Sequence, residues 1–478
     1  MWRIVADLIS LPMKQSLILL VLGVLLGSAI SFGGGKEAYR NYFLGSYYFA
    51  EGDFGRAENH LRRAYHLHPR QLNFALAYAL SLGQREKTDE ALEVLGHGKA
   101  LLRPRHPDYV HLASLQHFVN GMIQLYGKRY GQAIQPLRRA ISYQEKLPYP
   151  EERSIMLNAL GYAQIMNQGK GSGAHGGLPL HYHVHRRDIE QAHQSFLAAY
   201  QADVQNRQAA ENYNILSDTL GLERVVIVED SVVGRDKREL KSYEYAALPT
   251  NVQPLLKFVD YDEVVFLLDI SGSMVMEQVT CIADDRFNVM RETAQLLLAN
   301  FADSTKVGIG TIGGDCGTEP KLWHPAGELN RKDLGYALRF LVPDGTTPLL
   351  TILQETPSLF TDNPNTSKAL IFISDGENVC RLPGVDICEW TSTLANQKIT
   401  INIMTFLGAS LDNTNAFAEY TCLTENTFGR LLYLDGNRCR LEEYRFDLVK
   451  ACRFNIPPLE RVYCWGEATE GLWAIFPE

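Results

Sequence analysis

The stretch FLLDISGSM, Phe266 to Met274, decides how this chain is read. Together with Val265 it gives four apolar residues that run straight into an aspartate. Two serines follow at alternate positions, Ser271 and Ser273. A short apolar run of this kind reads as a buried strand. Three oxygen-bearing side chains crowded at its end suit a hard cation, which takes oxygen ligands. The missing ligands must then come from other parts of the chain.

Beyond this stretch, strand-like and helix-like patterns alternate. The patterns predict strands at 264–268, 307–312, 369–374, 399–406 and 431–434. They predict helices at 286–302, 331–340, 349–360, 389–397, 413–422 and 441–454. Such alternation gives a mainly parallel sheet with helices on both faces. Ligands bind outside the carboxyl ends of the strands in sheets of this class. Two more segments bring oxygen to such positions. DGTTPL, Asp344 to Leu349, is a loop that opens a helix, and FISDGEN, Phe372 to Asn378, places Asp375 just after a strand.

A D-x-S-x-S stretch, a loop threonine and a strand-end S-D-G, in that order, resemble the metal-ion-dependent adhesion site of von Willebrand factor A domains. The resemblance covers about residues 262–454 and implies a Rossmann-like α/β fold. It implies Asp269, Ser271 and Ser273 as metal ligands, with Asp375 as the second acid, which in the family often binds through a water. The loop threonine has two candidates, and Thr347 fits the family pattern better than Thr346. The implied cofactor is Mg²⁺, with Ca²⁺ or Mn²⁺ as alternatives, and the implied partner is a protein offering an acidic side chain to the metal. A narrower resemblance, carried by DGENVCRLPGVDIC from Asp375 to Cys388 and by Cys316 in GGDCG, is to a bacterial subgroup called calcium-activated chloride channel-like. That label describes sequence similarity and not channel activity.

Enzyme signatures are missing. A phosphatase of the haloacid dehalogenase type needs a second acid where Ser271 stands. The serine-hydrolase pattern G-x-S-x-G does not fit the residues around Ser271, and there is no Gly-rich phosphate loop of Walker type. The expected protein is therefore not an enzyme. The net charge of −9 argues against nucleic-acid binding.

All eight cysteines lie at or after Cys281. An even number confined to one domain, with no C-x-x-C spacing, reads as disulfides and an extracytoplasmic setting. Cys380 and Cys388, with seven residues between them, are expected to pair beside Asp375. Cys281 with Cys316 is the second candidate pair. Residues 15–35 carry no charge, which suits a membrane helix. A cleaved signal peptide is the rival, since Gly27-Ser28-Ala29 could serve as its cleavage site. The expectation is one N-terminal membrane helix at the bacterial inner membrane, single-pass, with the bulk of the chain periplasmic.

From residue 38 to 222 a repeat is visible. Leu44, Gly45, Tyr48, Ala57, Leu61, Ala64 and Pro69 fall at the offsets of a 34-residue tetratricopeptide repeat. Gly121 with Ala133, Leu137 and Ala140 repeats the pattern, Ala91 and Leu95 mark a weaker copy, and Gly161 opens a fourth. The small residues stand where two antiparallel helices touch. In the fourth copy the partner residues Ala192, Phe196 and Ala199 come late, because residues 168–187 are inserted in its turn. His181, His183 and His185 alternate there and could hold a transition metal. No Cys, Asp or Glu lies within the insertion to complete a site, so a solvated Gly-rich loop is the favoured reading. An all-α solenoid of such repeats implies a groove for a partner's peptide or helix.

The expected organisation is thus a membrane or signal segment at 1–35, the repeats at 38–222, a connector at 223–261, the A domain at 262–454 and a tail at 455–478. The expected function is a membrane-tethered protein-interaction scaffold. The alternative is a regulatory or recruiting subunit of an enzyme or assembly machine.

Overall fold

The computed structural model describes residues 34–227 and 252–464, apart from 107, 169, 172–181, 280, 317–321, 329, 381–384, 436–438, 445, 447, 457, 460 and 461. Residues 15–33 of the uncharged run, and most of the histidine insertion, lie outside the described residues. Among the described residues no helix is long and apolar enough to cross a membrane. The chain divides into two compact units. One is residues 1–43 with 234–445, and the other is 44–233 with 446–478.

The second unit is helical. Its helices form antiparallel pairs: the part of α1 Gly34–Ala50 from residue 44 onward with α2 Phe54–Leu67, α3 Leu72–Gln84 with α4 Thr88–Leu101, α5 Tyr109–Tyr126 with α6 Tyr130–Gln144, and α7 Pro150–Gln168 with α8 Arg186–Ala202. A single helix follows, α9 Arg207–Leu220. Local sequence explains the ends. Asp53 accepts the backbone N–H of Arg56 and caps α2, and Asn206 caps α9 in the same way. Gly221 stops α9 in the left-handed conformation, at φ +68°. Helix α2 buries Ala57, Leu61 and Ala64 on one stripe.

The glycines of the repeat stand where expected. A Cβ on Gly45 would fall 2.5 Å from Leu61 Cγ, one on Gly121 2.6 Å from Leu137 Cγ, and one on Gly161 2.7 Å from Phe196 Cε1. Hydrogen is the only side chain that fits these crossings. Gly121→Ala is therefore expected to cost about 1–3 kcal/mol through overpacking. Gly96→Ala is the control. That glycine lies within α4, its Cβ would meet nothing within 4 Å, and it is expected to gain up to about 1 kcal/mol of helix propensity. Thermal unfolding of the two variants checks both signs.

The insertion in the fourth repeat is partly built into this unit. Tyr182–Val184 pairs antiparallel with Lys170–Gly171 and parallel with Val462–Cys464. The last partner belongs to a C-terminal segment that also packs on the helices. Its short helix Leu448–Ala451 touches α5 and α7. Leu448, Val449, Ile456, Leu459 and Val462 are buried. The Leu459 N–H donates to Asn212 Oδ1 at 3.0 Å, and Thr219 Oγ1 donates to the Val462 carbonyl at 2.8 Å. Helices α5, α7 and α9 thus carry a segment of the chain itself.

This corrects the expected boundary at 454, because the helical unit resumes at 446. The helix expected at 441–454 is instead a strand, Arg440–Tyr444, then a separate four-residue helix. Leu441 is buried on a sheet edge, and the segment after it leaves for the other unit.

In the α/β unit seven strands form one sheet. In chain order they are β1 Glu263–Asp269, β2 Lys306–Ile312, β3 Trp323–Gly327, β4 Lys368–Ser374, β5 Ile399–Thr405, β6 Leu431–Asp435 and β7 Arg440–Tyr444. Their spatial order is β7-β6-β5-β4-β1-β2-β3. The inner five are parallel, and β3 and β7 run antiparallel at the two edges. β1 lies between β2 and β4 and is buried along its whole length, which accounts for its unbroken apolar run. The edge strands have no such run, and β3 contains Pro325, which is tolerated at an edge. Helices α10 Arg286–Asn300, α11 Asn330–Arg339, α12 Leu349–Glu355, α13 Ile387–Asn396 and α14 Thr414–Asn426 alternate with the strands.

Two expected boundaries shift here. Gln253–Phe258, placed in the connector from sequence, is a 3-10 turn whose Leu255 and Phe258 join the sheet's core. Residues 34–43 of α1 group with this unit and not with the repeats. The Phe43 ring lies 5.5 Å from that of Phe417 and 5.7 Å from that of Tyr444.

Candidate metal centre

The first loop of the site grows out of β1. Asp269 is its last residue, and Ser374 is the last residue of the neighbouring β4. The parallel register pairs Leu268 with Ile373, so the two strand ends lie side by side. Ser374 Oγ donates to Asp269 Oδ2. The other carboxylate oxygen accepts the Ser271 N–H at 2.8 Å. The hydroxyls of Ser271 and Ser273 stand 3.1 Å apart, and Ser273 Oγ donates to Asp375 Oδ1 at 2.8 Å. Four of the five residues read from the sequence are thereby brought into one hydrogen-bonded cluster.

Thr347 is the fifth. It is buried, while Thr346 is exposed and gives its hydroxyl to the Gly314 carbonyl. A Cβ on Gly376, next to Asp375, would sit 3.5 Å from Thr347 Oγ1. Thr347 is therefore the residue turned to the cluster. Its loop is fixed by close backbone contact: Gly345 has φ +65°, and a Cβ there would lie 2.4 Å from the Gly314 backbone. The Gly345 carbonyl accepts the Gly272 N–H at 3.0 Å. The loops after β1, β2 and before α12 are thus tied to one another.

The electrostatics favour a cation. Asp269, Ser271, Thr347 and Asp375 are at most 4% exposed. Burial pushes the Asp269 carboxyl up to about 6; hydrogen bonds from Ser271 and Ser374 oppose the shift, and the nearby Asp375 charge adds to it. Two buried carboxylates and three hydroxyls are hard oxygen donors that fit Mg²⁺, Mn²⁺ or Ca²⁺. A soft transition metal would require nitrogen or sulfur ligands, and the cluster has none.

Several neighbours of the site were not legible in the sequence. Arg286, at the start of α10, donates to Asp375 Oδ2 at 2.8 Å and also pairs with Glu277. Tyr420 donates to the Gly376 carbonyl and, at 3.2 Å, to Ser374 Oγ, which in turn holds Asp269. Both come from helices far away in the chain, and no local pattern announces them. Ser374 alone had a signal, since it is the serine of S-D-G.

The cysteine pairing differs from both candidate pairs. Cys316 bonds to Cys380, Cys388 to Cys422, and Cys281 to Cys439. Nearness in sequence was a poor guide. Cys388 lies in α13, which packs on α14 and meets Cys422 there, while Cys380 faces the loop after β2. All four cysteines singled out as disulfide candidates are bonded. The bridges Cys316–Cys380 and Cys281–Cys439 each join two of the loops at or near the carboxyl ends of the strands.

The histidine trio has no described site. His181 lies outside the described residues, as do the side chain of His183 and the middle of the insertion, and His185 stands at the start of α8. Among the described residues, no group of three or more His, Cys, Asp and Glu side chains could hold a metal. The cluster at Asp269 does not depend on such a group, since hydroxyls supply most of its donors.

Comparison with known proteins bears on the domain and not on the site. No curated protein matches the chain. Many solved structures are similar to parts of it, and three of them illustrate the range. One is the conserved hypothetical protein BatB from Bacteroides thetaiotaomicron, 18% identical, covering 41% of this chain and 96% of that one with a TM-score of 0.29. Another is an aerotolerance-related membrane protein from Bacteroides fragilis, 19% identical, with coverages of 41% and 96% and a TM-score of 0.28. A third, PilF from Pseudomonas aeruginosa, is 19% identical, with coverages of 39% and 71% and a TM-score of 0.29. The family model described as von Willebrand factor type A domain matches residues 264–377. This span holds Asp269, Ser271, Ser273, Thr347 and Asp375, and residues 264–377 are accordingly a von Willebrand factor type A domain.

Proposed function

We propose that the chain is a non-enzymatic scaffold that binds partner proteins through a divalent cation in its A domain and through its helical repeats. The observation that carries this reading is the buried cluster of two carboxylates and three hydroxyls at the carboxyl end of β1 and β4. Asp269, Ser271 and Ser273 would hold the ion directly, with Thr347 and Asp375 beside them. Once bound, the ion supplies an electrophilic position for a carboxylate of the partner.

The surroundings of the cluster suit such a partner. Val275, Met276, Val379 and Leu411 are exposed in the loops after β1, β4 and β5. A groove of about 430 Å³ opens beside Arg286, lined by the polar Gln278, Ser410 and Asp435 and floored by the buried Val279, Phe406 and Leu434. An acidic side chain flanked by bulky apolar ones would meet both features. The repeat helices offer a second surface, part of which is covered by residues 446–464. The three disulfides support an extracytoplasmic setting. The uncharged run at 15–35 would tether the chain to the bacterial inner membrane, with the bulk of it in the periplasm.

The test is Mn²⁺ titration of the full chain in detergent, followed by electron paramagnetic resonance. One ion per chain, displaced by Mg²⁺, is expected, together with chelator-sensitive retention of partners from solubilised membranes. A chain that binds no Mn²⁺ up to millimolar concentrations would overturn the metal reading.

A further inference from the structure

Lys36, the first charged residue after the apolar run, is bonded into the A domain beside the metal cluster. Its Nζ lies 2.5 Å from Glu419 Oε1 and 3.6 Å from Glu377 Oε2. Its backbone N–H donates to Asp386 Oδ2 at 2.9 Å. The preceding Gly35 is pressed so close that a Cβ would sit 3.1 Å from Cys388 Cβ. Tyr39, one turn along α1, donates to Asn426 Oδ1 at 3.1 Å.

Glu419 extends the connection inward. Its side chain on α14 is only 2% exposed. One oxygen takes the Lys36 ammonium, and the other accepts the backbone N–H of Asn378 at 2.8 Å. Asn378 stands three residues after Asp375. Its side chain accepts the Leu350 N–H at 3.3 Å, in the first turn of α12 just past Thr347. The next residue, Val379, donates its N–H to the Thr347 carbonyl at 3.2 Å. Lys36 is thereby connected through Glu419 and Asn378 to both loops that present Thr347 and Asp375.

We propose that Lys36 and Glu419 form a positioning pair for the metal loops, so that cation affinity depends on how the stretch leading out of the apolar run is held. Neither residue touches the ion. Their effect runs through the Asn378 backbone. A buried carboxylate keeps its place only while its charge is matched. Without Lys36 the Glu419 side chain would turn toward water or draw other groups in, and the 375–379 loop would lose its anchor. The inference rests on the metal reading of the cluster, but half of its test does not need the metal.

The experiment compares the full chain with Lys36→Met, Glu419→Gln and the double variant. Mn²⁺ affinity is read by electron paramagnetic resonance, and Asn378 amide exchange by mass spectrometry. Lys36→Met keeps the apolar stem and removes the charge. It is expected to weaken Mn²⁺ binding about tenfold and to speed exchange at Asn378. The double variant removes both members of the pair and leaves only the half-exposed Glu377 without Lys36, so affinity should return to within about twofold of wild type. That recovery distinguishes positioning from a general loss of packing, which a second substitution would only deepen. If Lys36→Met does not fold, Glu419→Gln alone, nearly isosteric, is expected to weaken binding about threefold. Wild-type affinity and wild-type Asn378 exchange in Lys36→Met would overturn the proposal and leave the metal reading intact. If the wild-type chain binds no Mn²⁺, the metal reading fails by itself. Exchange at Asn378 then decides the pair: faster in Lys36→Met and restored in the double variant upholds it, unchanged overturns it.

Discussion

Replacing Asp269 by Asn is expected to lower Mn²⁺ affinity by at least about a hundredfold, since loss of a mere supporting group at a metal site already costs 10- to 100-fold. The same change should stabilise the metal-free chain. Burial holds the Asp269 carboxyl up to about 6, against about 3.9 in an unfolded chain. Between these values the folded chain keeps a proton that the unfolded chain has released. Stability of the metal-free protein therefore falls as pH rises from about 4 to about 6 and stays low above that, a loss of roughly 3 kcal/mol. Asn carries no charge and escapes this loss. In chelator the variant should be more stable than wild type by up to about 3 kcal/mol at pH 8 and equal to it near pH 4. Saturating Mn²⁺ should reverse the order at pH 8, because only the wild type gains from the ion. Denaturant unfolding at the two pH values, with and without Mn²⁺, reads all four cases. A variant no more stable than wild type at pH 8 in chelator would show that the carboxylate is not strained in its site. Mn²⁺ affinity of the wild type should also fall as pH drops below about 6, because the ion competes with the proton on Asp269.

Breaking the Cys316–Cys380 bridge by double substitution to Ser should destabilise the A domain by roughly 4 kcal/mol, the chain-entropy figure for a loop of this size. The bonded cysteines are 64 residues apart in sequence. The effect should extend to the metal, because the bridge joins the loop that carries Gly314 to the loop that follows Asp375. Gly314 in turn holds Gly345 and Thr346 through backbone contacts. A slack bridge would let Thr347 and Asp375 drift apart, and Mn²⁺ affinity should drop alongside the unfolding temperature. Peptide mapping without reduction provides the direct check. Recovery of Cys316 and Cys380 as alkylatable thiols would defeat the prediction outright.

Much of this architecture was legible without coordinates. Strand β1 could be read because a buried parallel strand must be apolar throughout, and Val264 to Leu268 is a run of that kind. The clustering of oxygen side chains could be read because Asp269, Ser271 and Ser273 fall within one loop, and Asp375 follows a second apolar run. The repeats could be read because Gly45, Gly121 and Gly161 each leave room for a large side chain of the next helix. In each case a local constraint is written in a few neighbouring residues.

What the tertiary structure alone decided involves groups that meet across long stretches of chain. The choice of Thr347 over Thr346 became physical only when burial put one inside and the other in solvent. Arg286 on Asp375, Tyr420 on Ser374 and Lys36 on Glu419 join residues 46 to 383 positions apart. The disulfides follow the same rule, pairing Cys281 with Cys439 over a separation of 158 and leaving the nearby Cys380 and Cys388 to other partners. The edge strands β3 and β7 were hidden because a half-exposed edge imposes no apolar run, and the departure of residues 446–464 to the helical unit leaves no mark in local composition. Sequence determines what a residue can do within its own turn or strand. Which distant group it meets is set by how the elements pack, and packing energy is spread over too many contacts to be written in any one segment.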